Sequence, residues 1–184
     1  MLRTLRQIGR IGIITEPAPA VADALRVTEA LQSRILDVLG RALCIRAVDA
    51  GSCNGCELEI HALNNPLYNI EGLGIRFVAS PRHADMLLVT GPVSKNMEVA
   101  LRRTYEATPD PKLVVAVGDC GCTGGIFGES YASCGRVSNV IPVDVAVPGC
   151  PPSPRQILSG ILTAITKDRA EATHRTAASW VSDP

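Results

Sequence analysis

The chain is poor in aromatic residues, in histidine and in surplus charge. One Trp, three Tyr and two Phe make up 3% of 184 residues. So few flat side chains give bases or sugar rings little to stack on, and a core has to be built from Val, Ile, Leu and Ala. Lys and Arg number 18, and so do Asp and Glu; a formal charge of zero argues against a nucleic-acid footprint. No run approaches the roughly 20 consecutive apolar residues that a membrane span needs. The opening MLRTLRQIGRIGIITEPAPA has arginines but no compact apolar stretch before a small-residue cleavage site, so no secretory signal is expected. Against these shortages stands one excess, seven cysteines. An odd count with no export signal reads poorly as a disulfide framework and better as metal ligation or redox chemistry.

The length suits one domain with a real core, and charge sorts along it. Residues 1–47 hold seven Arg against four acids, whereas residues 48–167 are slightly acidic. Arg3, Arg6 and Arg10 share a helical stripe beside Leu2, Leu5 and Ile8, a pattern suited to an anionic surface or a partner subunit and equally to a frayed end. Glu16-Pro17-Ala18-Pro19 breaks that helix, and Ala24, Val27, Leu31, Ile35 and Val38 mark another over Val21–Leu39, closed by Gly40. The expected division is an N-terminal extension over 1–40, a binding domain over 41–167 and a flexible tail over 168–184.

From residue 41 the pattern alternates. Apolar runs at Leu43–Val48, Ile75–Val78, Met86–Val89, Leu113–Val117 and Val143–Val147 read as strands, with helices over Ser94–Ala107 and Pro154–Thr166. Ser153 is placed to cap the last helix, with Pro154 at its first position. Strands this continuously apolar belong to a parallel sheet covered on both faces. Five of them predict an α/β, flavodoxin-like doubly wound sheet with an N-terminal helical extension.

In such sheets ligands gather at the carboxyl ends of the strands, and the cysteines fall there. Cys53-Asn54-Gly55-Cys56 follows the first strand, Gly118-Asp119-Cys120-Gly121-Cys122 the fourth, and Pro148-Gly149-Cys150-Pro151-Pro152 the fifth. A Cys-x-x-Cys turn aims two thiolates at one site, and thiols from distant loops can complete a four-sulfur cage. Glycines beside them let backbone N–H groups approach the sulfurs. Structural zinc prefers two compact pairs, and a thioredoxin-like pair leaves the other two loops unexplained. The three loops together favour a [4Fe–4S] cluster over either.

These segments, with Ala79–Gly91 and Ile141–Pro152 in the same order, resemble the small Fe–S subunit of membrane-bound group 4 nickel–iron hydrogenases, formate hydrogenlyase and hydrogenase-4-like complexes included. They are similar also to the B-type subunit of NADH:quinone oxidoreductase (complex I). The resemblance covers about residues 44–165. It implies one [4Fe–4S] cluster on Cys53, Cys56, Cys120 and Cys150, and electron exchange with the active site of a large partner subunit. It further implies an oxidoreductase complex with a ferredoxin-like Fe–S subunit and membrane-arm subunits, held peripherally on the cytoplasmic side of the cell membrane. No independent catalysis is expected of this chain. The complex I branch has its first two ligands adjacent, so the Cys53-Asn54-Gly55-Cys56 spacing resembles the hydrogenase branch. A quinone-linked complex is the alternative, and a structural zinc domain with four cysteine ligands is the competitor from another class.

Other residues divide between site and scaffold. Glu59 matches an acidic position of the family motif and is a candidate for tuning the cluster or relaying protons; helix N-terminal charge explains it and Glu57 equally well. Arg82 and His83 are expected beside the cluster edge. His61 reads as a helix-face residue and Asp119 as a structural partner of its loop. Cys44 reads as a small buried residue, Cys134 as packing, and Cys122 is left open by its place next to a ligand.

Overall fold

The computed structural model describes residues 40–179 together with Arg6, Gly9, Ser33 and Ile35. Those four are helical; the rest of the basic segment and of the helix expected over Val21–Leu39 lies outside the described residues, as do 180–184. Five strands, β1 (Leu43–Asp49), β2 (Ile75–Phe77), β3 (Met86–Thr90), β4 (Leu113–Val117) and β5 (Val145–Val147), form one sheet in the order β2-β1-β3-β4-β5. Every pairing is parallel. This is the predicted flavodoxin-like order.

Alternation along the strands feeds two cores. Leu43, Ile45, Met86, Leu88, Val115, Val117 and Val147 point to one face. There they meet Ile60 of helix α1 (Gly55–Ala62) and Ile157, Leu158, Ile161, Ala164 and Ile165 of α4 (Pro154–Ser179). Ile35, fully buried, packs into the same cluster. Val48, Leu87, Val89, Val114 and Ala116 point to the other face, against Leu101 of helix α2 (Lys95–Ala107) and the segment carrying Val137, Val140 and Ile141. A fully buried Ile or Leu is worth about 1.5–3 kcal/mol relative to exposure.

Several boundaries move for physical reasons. Strand β5 begins at Val145 rather than Val143 because the Asp144 side chain takes over the ladder: its Oδ2 accepts from the Val114 N–H at 2.7 Å. The segments read as loops around Cys56 and Cys120 are helical, α1 and the short α3 (Gly118–Thr123). Helix α4 runs past Thr166 to Ser179, through KDRAEATHRTAAS, a stretch rich in good helix formers and free of Gly and Pro. At its start Gln156 Oε1 accepts from both the N–H and the Oγ of Ser153, at 2.8 and 2.9 Å, so the cap is made by the third helical residue reaching back.

Candidate metal centre

The carboxyl ends of β1, β4 and β5 all open on the same edge, because Asp49 pairs with Thr90, Thr90 with Val117, and Val117 with Val147. From there the chain delivers Cys53 and Cys56 after β1, Cys120 after β4 and Cys150 after β5. The β1 loop is fixed first. Asp49 Oδ1 accepts from the N–H groups of Gly51 and Ser52, both at 2.8 Å, a turn an aspartate closes on its own backbone. The loop then crosses Gly91 so closely that a Cβ there would lie 2.5 Å from Ser52 N. Ser52 Oγ donates to Glu57 Oε2 and accepts from the Asn54 N–H, which ties the turn to the first turn of α1 and aims Cys56 inward.

The four sulfurs come together electrostatically. Burial first, then Glu57, then Cys53, Cys120 and Cys150 push the Cys56 thiol up to about 12. Cys120 is raised by burial, then by Cys150, Cys53 and Asp119. Cys56 and Cys120 therefore hold their protons more tightly than a free thiol, and a bound metal cation would displace those protons. Backbone leaves room beside them: a Cβ on Gly118 would stand 2.6 Å from Cys56 Sγ, and one on Gly125 2.8 Å from Cys120 Sγ. Glycine-lined sulfurs on separate loops fit a cluster, whose surface sulfides take N–H contacts. Among the described residues no three Cys, His, Asp or Glu side chains converge on one ion position.

Cys53 and Cys150 are exposed, and Cys56 and Cys120 half-buried. The site therefore sits at the surface, with two of its four cysteines exposed. Exposed apolar residues follow the cysteines in the chain: Leu58 comes two residues after Cys56, and Ile126 and Phe127, at 94% and 57% exposure, follow Gly125, whose Cβ would meet Cys120.

The remaining candidates separate cleanly. Cys122 leans to the opposite face of the sheet, packing on the second core with its Sγ directed at Ala116 O, and burial followed by Asp119 pushes it up to about 11. Cys134 is buried on that same face, 3.2 Å from Glu98 Oε2, and Cys44 is buried within β1. All seven cysteines are free thiols. The expected place of Arg82 and His83 is corrected. Their turn precedes Met86, which pairs with Ile45 and Leu113 at the amino end of β3, a strand length from the sulfurs. Strand β2 is only three residues long and stops level with Ile45, so the chain leaves the sheet before reaching the site. The acid felt at Cys56 is Glu57, not Glu59, which is half-buried on α1. Glu57 Oε1 is buried with no hydrogen-bond partner and borders a cavity of about 350 Å³ shared with Arg46, Asp49 and His61.

Residues 53–164 match the family described as NADH ubiquinone oxidoreductase, 20 Kd subunit. The chain belongs to that family. The probable membrane-bound hydrogenase subunit mbhJ of Pyrococcus furiosus is 46% identical over 74% of this chain and 84% of its own length. Formate hydrogenlyase subunit 7 of Escherichia coli is 41% identical over 81% of this chain, which spans 58% of that longer protein. The B-type subunit of the NADH-quinone oxidoreductase of Desulfovibrio desulfuricans is 44% identical over 67% of this chain and 66% of its own length. Among solved structures, a chain of the membrane-bound sulfane sulfur reductase, an archaeal respiratory membrane complex, superposes with a TM-score of 0.61 at 33% identity, over 76% of this chain and 74% of that one. An NAD+-reducing nickel–iron hydrogenase chain, at 20% identity and a TM-score of 0.53 over 67% and 92%, shares the fold. Members of the 20 Kd subunit family are thus subunits of oxidoreductase complexes, several of them membrane-bound. No helix among the described residues is long and apolar enough to cross a membrane.

Proposed function

We propose that this 20 Kd-family chain is an electron-transfer subunit that holds one [4Fe–4S] cluster on Cys53, Cys56, Cys120 and Cys150 and exchanges electrons with the active site of a large partner subunit. The observation that carries the reading is the meeting of four mutually interacting thiols from three strand ends on a glycine-lined edge. When bound, the cluster supplies one-electron chemistry. The chain's own part is to hold the four sulfurs, to present backbone N–H groups to them, and to exclude water from the Cys56 side through Ile60 and the main core.

The exposed Cys53 and Cys150 and the bare Leu58, Ile126 and Phe127 support a docked partner on this edge, since apolar groups left open beside a site mark interaction surfaces. The spacing Cys53-Asn54-Gly55-Cys56 favours a hydrogenase-type complex, with a ferredoxin-like Fe–S subunit and membrane-arm subunits, attached peripherally on the cytoplasmic side of the membrane. A quinone-linked complex without a nickel–iron site is the second reading, favoured by the NADH-quinone oxidoreductase relatives. Two Cys-x-x-Cys pairs in the partner large subunit decide for the first, and their absence for the second.

Anaerobic purification of the complex, with iron and sulfide analysis and EPR of the dithionite-reduced sample, tests the cluster itself. One [4Fe–4S] signal that disappears when Cys150 is substituted is expected. A colourless, zinc-loaded, iron-free chain overturns the reading.

A further inference from the structure

Asp119 stands between the end of β4 and the ligand Cys120, and it exchanges two hydrogen bonds with one residue of the next ligand loop. Its N–H donates to Gly149 O at 2.8 Å, and its Oδ1 accepts from the Gly149 N–H at 2.7 Å. Gly149 directly precedes Cys150. Two ligands thirty residues apart in sequence are therefore each one residue from the same reciprocal pair.

The device recurs at the other end of the sheet. Asp85 gives its N–H to Cys44 O and takes the Cys44 N–H on Oδ2; Asp144 gives its N–H to Val114 O and takes the Val114 N–H on Oδ2. Those two aspartates sit one residue before β3 and β5 and start the pairing of their strands. Asp119 sits past the last ladder pair, Val117 with Val147, where backbone alone no longer continues the sheet: Gly118 turns away with φ +86. The partner side has no slack either, since Gly149 has φ +137 and a Cβ there would stand 2.6 Å from Pro152 Cα. The separation of the two ligand loops is thus set by one backbone bond and one side-chain bond, both made by Asp119.

We propose that Asp119 is a positioning residue for the cluster: its Oδ1 fixes Cys120 against Cys150, and its negative charge, held beside them, opposes reduction of the site. The inference rests on the four-cysteine reading above. The two effects are separable because they use different properties of one group. The clamp needs an acceptor oxygen and the second effect needs a charge. The charge is within reach of the site, since Asp119 directly precedes Cys120 and its Oδ1 lies 2.7 Å from the nitrogen of Gly149, the residue before Cys150. A fixed negative charge disfavours the extra electron that a one-electron reduction by dithionite, or by a partner's electron carrier, places on the bound iron.

The test compares wild type, Asp119→Asn, Asp119→Ala and Asp144→Ala in the anaerobically purified complex, reading iron per chain, the rate of iron loss to a chelator, the EPR line shape and a redox titration. Asp119→Asn keeps an acceptor for Gly149 N–H, so wild-type iron content and line shape are expected with a more positive midpoint potential. Asp119→Ala leaves that N–H unpaired and is expected to lose iron about tenfold faster, with an altered line shape. Asp144→Ala removes the equivalent pair at the far end of the sheet and is expected to lower thermal stability without changing the rate of iron loss. Wild-type retention in Asp119→Ala overturns the clamp, as does loss in Asp119→Asn equal to that in Asp119→Ala. Equal iron loss in Asp119→Ala and Asp144→Ala reduces Asp119 to a general fold contact and overturns the proposal. An unchanged potential in Asp119→Asn overturns the charge effect. A wild-type complex without iron instead defeats the cluster reading, a different result from any of these.

Discussion

Gly118→Ala is the sharpest single perturbation of the site. Two costs fall on one methyl group. The backbone at 118 has φ +86, a region where an L-residue pays about 1–3 kcal/mol. The new Cβ would also stand 2.6 Å from Cys56 Sγ, about 1 Å inside ordinary contact between heavy atoms, so the sulfur has to leave its place. The first cost lowers the melting temperature of the cluster-free chain by about 5 °C for a protein of this size. The second removes one ligand from its position, so iron content falls well below that of wild type and the EPR signal broadens or vanishes. Gly55→Ala is the matched comparison. There the Cβ meets Cys53 Sγ at 3.6 Å, ordinary contact, without a left-handed backbone, and alanine in a helix gains up to about 1 kcal/mol over glycine. Differential scanning fluorimetry and iron analysis on both variants decide the matter. If Gly118→Ala carries a full cluster with the wild-type spectrum, or if Gly55→Ala loses it equally, the argument from close backbone approach is wrong.

Two further outcomes follow from the placement of the thiols. Cys150→Ala should abolish cluster incorporation while Cys134→Ala, on the far face of the sheet beside Glu98, leaves iron content unchanged; equal loss in both refutes the ligand assignment. In the cluster-free chain Cys56, raised from 9.0 to about 12 mainly by burial, keeps its proton when folded over a range where an unfolded thiol loses it. Its contribution to stability is complete below pH 9 and is lost as pH climbs toward 12. Denaturant melts across that window should show a steeper decline for wild type than for Cys56→Ala, and parallel slopes would contradict the burial of this thiol.

Much of the fold is legible from the residues. The apolar runs at Leu87, Val89, Val114 and Ala116 are covered on both sides, and that continuity marks a parallel sheet before any contact is known. The cysteine positions follow from it, because a parallel sheet has one end where its ligands gather. What escapes the sequence has physical causes. Cys-x-x-Cys and Gly-Asp-Cys-Gly-Cys-Thr read as loops because glycine lowers helix propensity; packing of α3 against β4 and β5 overrides it. Arg82 is expected at the site only if its strand has the usual length, whereas β2 stops after three residues. Cys122 stays ambiguous in sequence since i and i+2 on a short helix point apart only once the helix is known. Asp85 and Asp144 do carry a local signal of their clamps: each stands immediately before an apolar strand.

Those aspartates have a consequence for how a thiol-rich chain stays in shape. Each reciprocal pair closes a long stretch of backbone, 41 residues for Asp85 and 30 each for Asp144 and Asp119. Closing spans of that length is the work small proteins in oxidising surroundings give to cystine cross-links. Here carboxylates do the fastening, and they do not exchange partners with neighbouring sulfurs. Every thiol is left reduced, and four of them remain available where the sheet opens.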